Sequence, residues 1–170
     1  MRFVEILETI VGAVFRLLVG LAFLVLIGAV LMQVAGRLSG ASPVWTEELS
    51  RFALLYLAAI GAGLALRSGD LVNVDIVCEA LPDRMSWALR LISALLVAGL
   101  GLYLLPMAWQ FTRIGHIQTS PALGLRMSFV HLSIFLMLAL LAFFAVLRVI
   151  GMLAGTDDGR ATTFDLPQED

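Results

Sequence analysis

Four long runs of apolar residues, each free of Asp, Glu, Lys and Arg, constrain this chain more than any other feature. Leu17 to Gly36 holds twenty residues between Arg16 and Arg37. At 1.5 Å per residue a helix of that length covers about 30 Å, the thickness of a bilayer's hydrocarbon core. Leu91 to Thr112 and Met127 to Leu147 are also long enough to cross. Phe52 to Leu66 is fifteen residues, about 22 Å on the same arithmetic, so it must borrow residues from the segment that begins at Pro43. Hydrophobic residues make up 61% of the chain and charged residues 14%, against about half and a quarter in soluble domains. A water-facing surface cannot be built from that inventory. The expected fold is an all-α integral membrane protein with four transmembrane helices in one domain over residues 1–154.

The flanks of the runs add detail. In the leader, Phe3, Leu7, Ile10, Val11 and Val14 fall on one helical face, with Arg2, Glu5, Glu8 and Thr9 largely on the other. This is the pattern of an amphipathic entry helix in the membrane interface. A cleaved signal peptide ending at Ser39-x-Ala41 fits less well, because the apolar run is too long and the leader carries acids. Ser42 is expected to cap the second helix, with Pro43 at its first position. Between spans two and three, Val74, Val77, Cys78 and Leu81 share one face while Asp75 and Glu79 share another, which predicts a short interfacial helix. Cys78 then serves as an apolar filler. In the third span Pro106 is expected to bend the helix near Leu102. Trp87 and Trp109 sit near its opposite ends, as interfacial aromatics do. Residues 155–170 carry five acids among Gly, Thr and Pro, the composition of a disordered acidic tail.

Arginine sets the expected orientation. With both termini on one side, that side holds Arg2, Arg16, Arg67, Arg84, Arg90, Arg148 and Arg160, and the other holds Arg37, Arg51, Arg113 and Arg126. Seven against four places both termini in the cytoplasm. All eleven basic residues are Arg, and Arg84 and Arg90 fall where phospholipid headgroups would be.

Function classes narrow by elimination. A net charge of -2 and a single Cys argue against nucleic-acid binding and a disulfide scaffold. No H-E-x-x-H, G-x-S-x-G, phosphate loop or C-x-x-C is present, so no catalytic residue, cofactor or metal is expected. His116 and His131 are fifteen residues apart with no acidic or Cys companion nearby, which does not make a metal site. Carriers usually show paired, interrupted spans that bring half-helix ends to the midplane, and here the central parts of all four spans carry no charge. Glu47, Glu48 and Arg51 are the most informative charges. Glu47 and Arg51 are spaced for an i,i+4 ion pair, and the trio reads either as a charged helix end among headgroups or as a polar anchor for another protein. The same helix has small residues four apart, including Gly61 with Ala65, which permit close approach of another helix or of neighbours within the chain.

Taken in order, Trp45-Thr46-Glu47-Glu48-Leu49-Ser50-Arg51, Gly61-Ala62-Gly63-Leu64-Ala65-Leu66-Arg67-Ser68-Gly69, Val74-Asp75 and Leu81-Pro82 resemble the small membrane subunit of tripartite ATP-independent periplasmic (TRAP) transporters. That family's pattern reads approximately W-x-E-E-x-x-R, G-A-x-x-A-x-R-x-G-x-H-I-x-V-D, L-P. Arg37 and the Ser120-Pro121-Ala122-Leu123-Gly124 turn extend the likeness over most of the chain. The family's His falls at Leu71 here. The resemblance implies a bacterial inner-membrane uptake system with two partners, a periplasmic solute-binding protein that captures an organic acid and a large membrane subunit that moves it by an ion-coupled, elevator-like step. The small subunit would be a scaffold. Trp45, Glu47, Glu48 and Arg51 would fix the outer end of helix two against the large subunit or lipid, and Arg67 with Asp75 would hold the cytoplasmic turn. The competing expectation is a self-sufficient small homo-oligomeric carrier or channel using the same charged trio at its subunit interface.

Overall fold

The structure is a computed structural model that describes residues 2–41, 43–68 and 81–155, with backbone alone at 2–12, 67, 68 and 83. Four helices run α1 (Arg2–Leu38), α2 (Trp45–Ser68), α3 (Asp83–Ile114) and α4 (Met127–Leu153). Each is long and apolar enough to cross a membrane, so the chain is an all-α, four-span protein. Among the described residues there is no strand beyond one isolated bridge between Thr119 and Arg126. The expected interfacial helix with Asp75 and Cys78, the Ser42 cap and the acidic tail all lie outside the described residues. The entry segment continues as helix into the first span.

Two element boundaries differ from expectation. The second helix starts at Trp45 instead of Pro43, because the Pro43 carbonyl accepts hydrogen bonds from the Thr46 backbone N–H at 3.3 Å and the Thr46 hydroxyl at 2.6 Å. Pro43 therefore precedes the helix and closes its first turn. The other difference is at the far end of the chain, where α4 runs six residues past Leu147 to Leu153. Arg148 lies within that extension and is partly buried. Pro106 lies inside α3.

The helices form a row in which α1 packs on α2, α2 on α4 and α4 on α3. Gly63 faces Leu140 and Tyr56 reaches Phe129, so α2 and α4 run parallel. Gly101 faces Ala142 and Phe111 stacks on His131 at 3.9 Å, so α3 runs antiparallel to α4. The core lies where the row is thickest, around Leu66, Ala98, Leu140, Phe144 and Ala145, with Phe15 of α1 edge-on to Phe144 at 6.3 Å. Lipid tails are as apolar as Leu, so burial as such does not drive these helices together. Close packing does, and small residues supply it: a Cβ on Gly63 would stand 2.7 Å from the Leu140 Cβ, and one on Gly101 would stand 3.0 Å from the Ala142 Cβ. In α1 only 6% of the span is buried, and in α4 33%.

Candidate functional site

The row brings the end of α1, the start of α2, the end of α3 and the start of α4 together at one end of the molecule. There the α3–α4 connection is a tight, hydrogen-bonded clasp. A 3-10 turn, Gly115–Ile117, follows α3. The chain then doubles back through bonds from Ser120 N–H to the Leu125 carbonyl (2.8 Å), Gly124 N–H to the Ser120 carbonyl (3.1 Å) and Met127 N–H to the Gln118 carbonyl (2.9 Å). Gly124 supplies the positive φ of 65° that the reversal requires. A second glycine, Gly115, allows α3 to end hard against α4. A Cβ there would stand 2.6 Å from the Ser128 backbone nitrogen and 2.7 Å from the His131 Nδ1.

Glu48, half-buried in the first turn of α2, fastens this clasp from outside its own hairpin. Its carboxylate accepts hydrogen bonds from the Ser120 hydroxyl and from the backbone N–H groups of Leu123 (3.0 Å) and Ala122 (3.3 Å). Charge-assisted bonds of this kind are roughly twice as strong as neutral ones. About two turns further along α2, the Tyr56 hydroxyl donates to the Phe129 carbonyl at 2.5 Å. Glu48 thus ties α2 to the α3–α4 connection, and Tyr56 ties it to the start of α4. His131 bonds the Phe111 carbonyl through Nδ1 at 3.1 Å, so its ring joins α4 to α3.

The charged trio divides. Glu47 pairs with Arg51 at 3.2 Å, with side chains 60% and 65% exposed, while Glu48 turns to the clasp. Trp45, at the start of the same helix, is 38% exposed. A shallow cleft of about 440 Å³ between Val44, Trp45, Glu47, Arg51 and Pro121 opens beside them. Gly61 faces open space, with nothing within 4 Å of a Cβ built on it, and Ala65 is partly buried. At the far end of α3, Arg84 and Trp87 are exposed. Arg67 has its backbone in α2, its side chain falls outside the described residues, and so does Asp75. The structure therefore groups Trp45, Glu47, Glu48 and Arg51, and leaves Gly61, Ala65, Arg84 and Trp87 apart from them. Sequence reasoning missed Tyr56 and Gly115. The only sequence signals were a lone Tyr in an apolar helix and a Gly at the end of the third span, sixteen residues before the fourth span's His. Among the described residues no group of three His, Cys, Asp or Glu side chains comes together as a metal site would require.

A row of four apolar helices whose polar side chains fasten one end of the row defines a small multi-pass membrane subunit. The family model described as "Tripartite ATP-independent periplasmic transporters, DctQ component" matches residues 26–155. The chain belongs to that family and is the small membrane subunit of a TRAP transporter, a multi-pass protein of the bacterial inner membrane. It is also 31% identical over 93 residues to the isethionate TRAP transporter permease protein DctMQ of Oleidesulfovibrio alaskensis. The match covers 50% of this chain and 14% of that relative, so the chain spans about a seventh of the relative's length.

Proposed function

We propose that this subunit braces a large membrane subunit of the transporter while that subunit carries out ion-coupled uptake of an organic acid delivered by a periplasmic binding protein. The observation that carries this reading is the row itself. Few of its span residues are buried within the chain, 6% in α1 and 33% in α4, while the span centres hold no Asp, Glu, Lys or Arg with which to bind a solute or ion. The relative's name supports a permease context and an organic anion as cargo. On this reading Trp45, Glu47, Arg51, Gly61, Ala65, Arg67, Asp75, Arg84 and Trp87 meet the large subunit or phospholipid, and Glu48 shapes the surface they belong to. Both termini are cytoplasmic, which puts the clasp on the periplasmic side.

Purification in mild detergent tests the proposal. The chain should elute with a much larger multispan protein, and liposomes holding both, given the binding protein, should accumulate an organic acid. Transport by this chain alone would overturn the bracing role. For orientation, Cys introduced at Ser39 in a Cys78→Ser background should react with an impermeant maleimide in intact spheroplasts. Protection there, with labelling only after lysis, would reverse the assignment.

A further inference from the structure

One side of the row holds an apolar groove of about 370 Å³, formed by α1 (Leu18, Ala22), α2 (Phe52, Ile60), the end of the α3–α4 connection (Leu125) and the start of α4 (Phe129). Along α2 it extends from Leu49 to Ile60. Eleven steps of 1.5 Å give about 16 Å, half of a hydrocarbon core of about 30 Å. A partner helix crossing the membrane would need a groove along the full thickness, whereas an acyl chain occupies one leaflet. The lining offers one hydroxyl, Tyr56, and it is already directed to the Phe129 carbonyl.

The rim supplies a charge. Arg126 stands between the groove residue Leu125 and α4, is exposed, and has no acidic partner among the described residues. Arg51 at the same end, by contrast, is paired with Glu47. A guanidinium at headgroup level matches a phosphodiester, which it can hold through two parallel N–H bonds.

We infer that this groove is the seat of a resident glycerophospholipid, one acyl chain lying between α1, α2 and α4 and the phosphate held by Arg126. The inference concerns this chain's own apolar groove and does not depend on the bracing role.

The test is native mass spectrometry of the full chain, with any subunit that co-purifies, after a delipidating wash and addition of palmitoyl-oleoyl phosphatidylglycerol or dioleoylglycerol. The expected result is one retained phosphatidylglycerol per chain, preferred over the phosphate-free lipid by about tenfold, the worth of one charge-assisted contact. Arg126→Gln should remove that preference, and Ala22→Trp, which fills the groove, should lower retention of both lipids. Leu96→Trp, exposed on α3, should retain as the wild type does. Equal retention of the two lipids by the wild type, or a preference unchanged in Arg126→Gln, would overturn the proposal. So would an Ala22→Trp variant that keeps its lipid and instead sheds a co-purifying membrane protein, since a protein helix would then be the occupant. Arg126 is exposed, so its variant decides the matter even where Ala22→Trp fails to fold.

Discussion

At the scale of single residues, Glu47 and Glu48 show how one step along a helix separates two roles. The Glu47 pair with Arg51 is exposed, and an i,i+4 pair in that setting contributes about 0.3–0.5 kcal/mol at most. Glu47→Gln should therefore leave the thermal midpoint in detergent almost unchanged. Glu48→Ala removes the acceptor of three bonds and leaves the Ser120 hydroxyl and two N–H groups without it. It should lower the midpoint by several degrees and open the 118–125 segment to limited proteolysis, and resistance equal to the wild type would contradict the clasp. Tyr56→Phe removes only the hydroxyl bonded to Phe129, and bonds of this kind between membrane helices average about 0.6 kcal/mol. A small drop in midpoint with unchanged helical content is expected. The sequence located Glu47, Glu48 and Arg51 together but not which acid points where. The i,i+4 spacing made the Glu47–Arg51 pair visible, while the partners of Glu48 lie more than seventy residues on and become neighbours only through the row.

At the scale of elements, glycines at the crossings decide how near the helices approach. Gly115→Ala would press a methyl into the Ser128 backbone and the His131 ring, and overpacking of that kind costs about 1–3 kcal/mol. The variant should melt earlier than the wild type. Gly61→Ala meets nothing within the chain and should hold or raise the midpoint of the separated subunit, since Ala is favoured over Gly in a helix. The comparison of the two by thermal unfolding needs no transport assay. The spans themselves were legible, because apolar length is a direct physical requirement of a bilayer. The start of α2 was not, since the Thr46 hydroxyl competes for the Pro43 carbonyl and shifts the first turn by two residues. Nor could spacing show which small residues on α2 are covered. Gly63 turns to Leu140 and Gly61 to open space, although both read as parts of the same small-residue pattern.

For the whole molecule, the order α1, α2, α4, α3 is the arrangement least visible in the sequence. Four spans with short connections are compatible with a closed bundle or an open row, and only the pairings distinguish them. Family membership, by contrast, was carried by motifs in order along the chain, and the match over residues 26–155 rests on the same stretch. The row also has a consequence for biogenesis. Neighbours in the chain, α1 with α2 and α3 with α4, make two hairpins that each close over short loops, and among the described residues the hairpins meet along the seam between α2 and α4, with Phe15 of α1 reaching Phe144. A ribosome delivering this polypeptide can therefore finish the first hairpin before the second has emerged. Close packing at Gly63 then brings the finished pieces side by side, and the carboxylate at position 48 works as a late fastener applied to parts already inserted.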